Sequence, residues 1–168
     1  MFIRRETTEE FSRIYDLVKI AFQTAKVTNG KEQDFVNQLR NSGNYIPELA
    51  LVAEEDDKLI GHIMLTKTHI TNDKSKFETL LLAPISVVLE YRNKGVGSKL
   101  ITESFKLAKK MGYASVVLVG DPAYYNRFGF KAAINFGIRH AQNIPSENVM
   151  ACELVPKALQ GISGTMDC

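Results

Sequence analysis

The feature that most constrains this chain is a strand-like apolar segment that leads through a glycine-containing loop into a long amphipathic helix. Thr79 to Val88 is rich in Leu, Ile and Val, as in a central strand buried on both faces. The helix is predicted from about Gly95 to Met111, with Gly112 as a natural C-terminal residue. Its first turn has unpaired backbone N–H groups and the positive end of the helix dipole, which together favour a phosphate or pyrophosphate.

This loop has two interpretations when it is considered alone. The glycines either let an anion approach the backbone, with Arg92 and Lys94 adding positive charge, or only shape the turn from strand to helix. The dinucleotide pattern G-x-G-x-x-G fails because Leu100 stands at the third glycine position. The nucleoside-triphosphate pattern G-x-x-x-x-G-K-[ST] is absent, so a nucleotide-binding protein is disfavoured.

The rest of the pattern predicts a mixed α/β domain built around one mostly antiparallel sheet. A capping box, Thr7 to Glu10, starts a predicted helix over residues 8–22, and a second helix is predicted over 31–40. Strands are predicted near Ile3 and over Leu49–Glu54, Leu59–Ile70, Ala114–Val119 and Val149–Leu154. Further features are an acidic turn at Glu55-Asp56-Asp57, a brief helical stretch from Asp121-Pro122 to Gly129, and a glycine-rich tail over Gly161–Thr165 that we expect either to pack late or to fray.

Length and composition exclude several classes of protein. A chain of 168 residues, 45% hydrophobic and 24% charged, fits one globular domain. A net charge of +2 does not favour a nucleic-acid partner, and no apolar stretch is long enough for a membrane span. The two cysteines cannot form a disulfide scaffold, so we expect a cytoplasmic protein. The histidines and cysteines lack metal-ligand spacing, so no metal site is expected.

Two segments together resemble a known family. Arg92-Asn93-Lys94-Gly95-Val96-Gly97 is similar to the Q/R-x-x-G-x-G/A signature of the GNAT superfamily of acyl-CoA-dependent N-acetyltransferases. A second segment, Gly120-Asp121-Pro122-Ala123-Tyr124-Tyr125-Asn126-Arg127-Phe128-Gly129-Phe130, resembles the F/Y-Y-x-x-x-G-F segment of the same family. Its G-D-P-x-Y-Y-x-R-F-G-F form is similar to the YhbS-like branch. The chain departs from the family at Leu89, where a proline is usual, and at Asp121-Pro122, near which an Asn is common.

The resemblance implies a single N-acetyltransferase domain over residues 1–168, with splayed central strands that bind acetyl-CoA. The acceptor amine would attack the thioester directly, and no metal would take part. The residues implied for the CoA pyrophosphate are Arg92, Asn93, Lys94, Gly95, Val96, Gly97 and Ser98. Val87 and Val88 would hold pantetheine, and a backbone N–H near them would stabilise the oxyanion. Tyr125 would protonate the leaving thiolate. Tyr124 would either contact CoA or pack under Tyr125.

The acceptor and its general base are not identified by the sequence. His62 either faces an acceptor cleft or is an ordinary strand residue, and Cys152 is interpreted as a core residue. Glu32, Asp34 and Glu78 are candidate bases by position alone, and each is more typical of a solvated surface carboxylate. A homodimer is compatible with the sequence. The competing function is a non-catalytic module that binds or senses acyl-CoA.

Overall fold

The computed structural model describes all 168 residues and contains four α-helices and nine β-strands. The helices are α1 (Phe11–Phe22), α2 (Glu32–Arg40), α3 (Val96–Lys110) and α4 (Pro122–Tyr125). The strands are β1 (Phe2–Arg5), β2 (Ala50–Glu55), β3 (Lys58–Thr71), β4 (Lys76–Val87), β5 (Ser115–Val119), β6 (Lys131–Ala132), β7 (Ile138–His140), β8 (Val149–Glu153) and β9 (Gly164–Met166). None of the helices has both the length and the apolar character that a membrane crossing requires.

Each long element lies where hydrophobic periodicity predicts it, with differences at the ends. The helix expected from residue 8 starts as a 3-10 turn, Thr8–Glu10, and becomes α-helical at Phe11. The capping box contributes to this tight start, because the Thr7 N–H donates to the Glu10 carboxylate at 2.9 Å. Strand β4 begins at Lys76, three residues before the apolar run, because alternating exposed residues extend it to the turn.

The strands form one mixed sheet in the order β1-β2-β3-β4-β5-β8-β6, and β9 pairs with both β3 and β7. Antiparallel pairs predominate, while β4–β5 and β7–β9 are parallel. The β2–β3 hairpin turns at Asp56 and Asp57, whose φ angles of 52° and 63° are those of a turn that matches strand twist. The expected fold class, a mostly antiparallel sheet flanked by helices, is confirmed.

The Gly161–Thr165 tail, expected either to pack late or to fray, is packed. Gly164–Met166 forms β9, in which Met166 pairs with Ile70 and is fully buried. The three short strands β6, β7 and β9 span only two or three residues each, too few for the alternation that predicts a strand. Long-range pairing therefore orders a tail whose local sequence favours mobility.

The chain packs as two compact units, each with its own apolar cluster. The first unit comprises residues 1–66 and 82–107, and its cluster includes Ile14, Val18, Val36, Val52 and Met64. The second comprises residues 67–81 and 108–168, and its cluster includes Ile70, Val117, Ile138, Ala151 and Met166. The chain crosses from one unit to the other within β3, β4 and α3.

Candidate functional site

The loop after β4 turns the chain into α3 through two residues with left-handed backbone angles. Asn93 has a φ of 62° and Gly95 a φ of 83°. The Gly95 carbonyl accepts the first helical hydrogen bond, from the Lys99 N–H at 3.1 Å, so Gly95 is the N-cap of α3. The amides of the first helical turn are those of Val96, Gly97 and Ser98. The helix N-terminus expected as an anion site is therefore present.

Burial divides this loop into an exposed part and a packed part. Asn93, Lys94 and Gly95 are exposed, whereas Val96 and Gly97 are buried. The Lys94 ammonium lies 5.4 Å from the centroid of the Tyr91 ring, where the ring quadrupole attracts it. Because Gly97 is buried, a side chain added there changes the packing of the protein as well as any contact with a ligand. The exposed positions are the ones at which a charge change tests anion binding.

The Arg92 side chain, expected to contact the pyrophosphate, forms hydrogen bonds to the C-terminal end of helix α1 and to Val87. Its guanidinium donates to the carbonyl of Ala21 at 2.7 Å and to the hydroxyl of Thr24 at 2.6 Å, at the C-terminal end of α1. A third bond, from its Nε, reaches the Val87 carbonyl at 3.3 Å. A cation there suits the negative end of the helix dipole. The backbone N–H of Arg92 donates to Leu89, so this amide is already paired.

The two valines expected to hold pantetheine differ in what their amides do. The Val88 N–H donates to the Ile60 carbonyl on β3 at 2.9 Å, so it is already paired. Neighbouring residues of an antiparallel strand direct their peptide groups to opposite edges. The Val87 amide therefore faces the edge of β4 away from β3. Of the two, Val87 is the one whose amide suits an extended ligand on that edge.

Gly61 on β3 allows the first turns of α3 to lie directly on the sheet. A Cβ at this position would come within 2.9 Å of Leu100 Cδ1 and 3.0 Å of Val96 Cγ1, both on α3. It would also lie 3.2 Å from the Ser86 carbonyl. Sequence reasoning missed this residue, although a glycine inside a strand is the usual signal of close approach. Gly61 therefore helps to position the loop that precedes α3.

Tyr125 and Tyr124 lie on α4 within a cluster of aromatic rings. The Tyr125 ring makes edge-to-face contacts with Tyr124 and Phe130, at centroid distances of 5.0 Å and 5.7 Å. Its hydroxyl has no hydrogen-bond partner in the protein. Burial raises the pKa of Tyr125, so the phenol remains protonated at neutral pH. Tyr124 packs against Phe128, and the Arg127 guanidinium lies 4.7 Å from its ring centroid.

Gly120 and Asp121, which directly precede α4, position the helix and the Tyr125 ring. A Cβ on Gly120 would lie only 2.5 Å from Tyr125 Cε2, so the ring covers the backbone of Gly120. Asp121 caps α4, because its carboxylate accepts from the Ala123 N–H at 3.0 Å. Asp121 thus has a structural role at the position near which an Asn is common.

A buried polar cluster surrounds Glu6, which sequence reasoning did not single out. Its carboxylate accepts from Arg40 at 2.8 and 2.9 Å and from the Tyr45 hydroxyl at 2.7 Å. Nε2 of His62 lies 2.9 Å from it. Burial opposes ionisation, but the bonds from His62 and Arg40 outweigh it and lower the pKa of Glu6 to about 2. No sequence signal marks Glu6, which follows β1 and meets its partners only through the fold.

The three candidate bases lie at the surface. Glu32 accepts from the Thr28 hydroxyl at 2.8 Å, and Asp34 accepts from the Tyr15 hydroxyl at 2.9 Å. Glu78 is exposed on β4. Cys152 is buried, as expected of a core residue, and burial raises its pKa to about 11. No group of three or more His, Cys, Asp or Glu side chains is arranged to hold a metal ion.

The sequence of the chain is similar to those of known acetyltransferases. The family profile described as "Acetyltransferase (GNAT) domain" matches residues 2–133. The chain belongs to the GNAT acetyltransferase family. The N-acetyltransferase YhbS of Escherichia coli (strain K12) is 29% identical over 168 residues, which cover 99% of this chain and 95% of that protein. The resemblance to this family and the expected class of enzyme, an N-acetyltransferase, are confirmed.

Two solved GNAT structures are similar over nearly their whole length. The crystal structure of YhbS from Escherichia coli in complex with CoA has a TM-score of 0.85 and 27% identity, over 99% of this chain and 88% of that chain. A GNAT family acetyltransferase from Brucella melitensis in complex with acetyl-CoA has a TM-score of 0.78 and 28% identity, over 98% and 93% of the two chains. The GNAT fold thus extends over the whole chain, including the C-terminal strands beyond the family profile.

Proposed function

We propose that this chain transfers an acetyl group, or a related short acyl group, from acetyl-CoA to an amine by direct attack. The observation that carries the proposal is the start of α3, where exposed loop residues and the first helical turn present backbone amides in the pattern of the GNAT signature. The two similar solved structures, which contain CoA and acetyl-CoA, support the choice of donor.

Fewer residues are free to bind acetyl-CoA through their backbone amides than the sequence implied. The amides of Asn93, Lys94, Gly95, Val96, Gly97 and Ser98 hold the pyrophosphate, while the amide of Arg92 is already paired and its side chain positions the loop against α1. The Val87 amide pairs with pantetheine and stabilises the oxyanion of the thioester. The Val88 amide is already bonded to Ile60, so Val88 acts by fixing the end of β4.

Tyr125 is the proposed general acid. Its role rests on its family position, and two observations support it: its hydroxyl has no partner in the protein, and its raised pKa keeps the proton in place. Tyr124 supports its ring through an edge-to-face contact. The acceptor nitrogen attacks the thioester carbon, the C–S bond breaks, and Tyr125 gives its proton to the departing thiolate.

Residues 1–168 act as one N-acetyltransferase domain in this proposal. A cytoplasmic location fits the two free cysteines, Cys152 and Cys168. The alternative function is an acyl-CoA sensor without turnover. The presence of Tyr125 at the family's proton-donor position favours the enzyme, because a sensor has no need of a proton donor at this place.

A charge reversal in the loop tests donor binding. We expect Lys94→Glu to weaken acetyl-CoA binding at least tenfold, about 1.4 kcal/mol, by isothermal titration calorimetry. Lys106→Glu is the matched control, because Lys106 is exposed on α3 outside the loop and the net charge changes equally. Equal affinities in the two variants would contradict the loop assignment. ATP and NAD should not displace bound CoA, whereas displacement by either would favour a nucleotide-binding protein.

A further inference from the structure

Three buried side-chain atoms have no hydrogen-bond partner in the protein: His62 Nδ1, Thr66 Oγ1 and Ser86 Oγ. Burying a polar atom without a partner is unfavourable, and the few cases in native proteins usually have a reason such as catalysis or a bound water. His62 is fully buried and Ser86 is 3% exposed. All three atoms belong to β3 or β4, and Ser86 directly precedes Val87 of the proposed donor site.

The partners of Glu6 determine which nitrogen of His62 carries its proton. An ionised carboxylate only accepts hydrogen bonds, so His62 Nε2 donates to Glu6 at 2.9 Å. Burial is the main influence on the imidazole and lowers the pKa of His62, so its ring is neutral near pH 7. In a neutral ring with its proton on Nε2, Nδ1 is a bare lone pair. A carboxylate thus orients a buried imidazole whose free nitrogen is basic.

The pairing of β3 with the end of β4 brings Ser86 to the same region of the sheet as this lone pair, although the two atoms are not hydrogen-bonded to each other. The Val88 N–H donates to the Ile60 carbonyl at 2.9 Å. When the antiparallel register continues from this bond, Ser86 lies opposite His62, with both side chains on one face. The next residue on β4 is Val87, whose amide is proposed to hold the thioester. A hydroxyl and a base therefore lie next to the strand segment proposed for the donor.

We propose that Ser86 and His62, bridged by one buried water, form the relay that takes a proton from the acceptor ammonium, with Glu6 holding His62 in the required tautomer. The proposal rests on the acetyl transfer proposed above. The acceptor ammonium first gives one proton to Ser86 Oγ while the Ser86 hydroxyl proton passes through the water to His62 Nδ1, and the freed lone pair of the nitrogen then attacks the thioester carbon. The C–S bond then breaks and Tyr125 protonates the thiolate. His62 later releases its proton to water and Tyr125 regains one from the acylated nitrogen, so the sum is ammonium plus acetyl-CoA to amide, CoA and one proton.

Three groups on neighbouring elements face His62 through this cluster. They are the Glu6 carboxylate after β1, the Arg40 guanidinium on α2 and the Tyr45 hydroxyl after α2. Arg40 opposes a positive charge on the imidazole, whereas Glu6 stabilises it. The charge on the relay is therefore transient, and the resting ring is neutral.

Two variants and two acceptors test the relay. His62→Gln keeps a side-chain N–H donor toward Glu6 but removes the basic nitrogen. We expect kcat/KM for a primary alkylamine, mostly protonated at pH 7, to fall about 10²–10³-fold. With hydroxylamine, which is largely neutral at pH 7, the fall should be much smaller. Acetyl-CoA affinity should be unchanged in both assays, because the donor contacts are elsewhere.

Ser86→Ala provides the second variant, since it removes an unpaired buried hydroxyl. A purely structural Ser86 predicts an equal or higher Tm and unchanged kcat, whereas the relay predicts an equal or higher Tm with kcat reduced at least tenfold. If His62→Gln keeps its alkylamine turnover, or if turnover falls equally with alkylamine and hydroxylamine, the relay is overturned while the proposed acetyl transfer stands. Failure of the wild type to acetylate any amine would overturn the relay together with the proposed function. Nitrogen NMR of His62 in the free protein gives a separate test, because a proton on Nδ1 would overturn the relay even in an active enzyme.

Discussion

At the scale of single residues, the Tyr125 hydroxyl is the group whose removal isolates proton donation. Tyr125→Phe deletes one oxygen that has no partner in the protein and keeps the ring contacts with Tyr124 and Phe130. We expect kcat for acetyl transfer to fall about 10²–10⁴-fold, the usual contribution of a positioned acid. The affinity for acetyl-CoA and the Tm should change little. Steady-state kinetics with a good acceptor, together with calorimetry, measure all three quantities.

Tyr113→Phe is the matched control, because Tyr113 lies after α3 and has no proposed role in the chemistry. An unchanged kcat in Tyr125→Phe would mean that the thiolate leaves without help from the phenol. A joint fall of Tm and affinity would instead assign Tyr125 to packing, in line with its position over Gly120.

The buried Glu6–His62 pair predicts how stability depends on pH. The pKa of His62 is lower in the folded chain than its usual 6.5, so the unfolded chain binds more protons below that pH and folding weakens as pH falls from about 6.5. The pKa of Glu6 is lowered from 4.5 to about 2, so its contribution is present above pH 4.5 and is lost as pH falls toward 2. Thermal unfolding across pH 4–8 should show Tm falling in acid, beginning near pH 6.5.

His62→Gln removes only the loss of stability that begins near pH 6.5, because glutamine does not titrate. The variant should therefore have a flatter Tm profile than the wild type between pH 7 and 5. Parallel profiles in this range would show that His62 does not control the acid sensitivity.

At the scale of elements, the contact of α3 with β3 depends on the missing side chain at Gly61. Gly61→Ala places a methyl group within about 3 Å of Val96 and Leu100. Overpacking of this kind costs about 1–3 kcal/mol of the free energy of unfolding. Because α3 begins at the donor loop, we also expect weaker acetyl-CoA binding. Chemical denaturation and calorimetry measure the two effects.

Gly43→Ala is the control for this substitution, since a Cβ at Gly43 has no atom within 4 Å. It should leave stability and affinity close to those of the wild type. Wild-type affinity in a destabilised Gly61→Ala would show that the loop keeps its shape when α3 shifts.

The long elements were predictable because their residues carry a repeating pattern. Apolar spacing located α1, α2, α3 and the five longer strands β2, β3, β4, β5 and β8 to within a few residues. The short strands β6, β7 and β9 carry no such pattern, and distant partners determine them. The donor loop was predictable from its motif, but the pairing of the Arg92 and Val88 amides was not, because it depends on Leu89 within the loop and on Ile60 on another strand. The Glu6 cluster likewise joins β1, α2 and β3.

At the scale of the whole molecule, the C-terminal strand stabilises the fold from the end of the chain. Met166 is fully buried in β9 and packs in the same apolar cluster as Ile70 and Ile138. Met166→Ala should lower the free energy of unfolding by about 2–5 kcal/mol, the usual cost of truncating a buried methionine. Asp167→Ala, at the exposed next position, should have little effect. Equal stabilities in urea denaturation would mean that β9 contributes nothing to folding.

Transfer of the acetyl group itself tests the central claim most directly. The purified chain is incubated with acetyl-CoA labelled with ¹³C in the acetyl group and with a panel of amines, and products are followed by mass spectrometry and by release of free CoA thiol. We predict that at least one amine gains the labelled acetyl group and that CoA release rises with its concentration, in amounts equal to the product. Tight acetyl-CoA binding with CoA release that no amine increases would contradict the account and assign the chain to an acyl-CoA sensor.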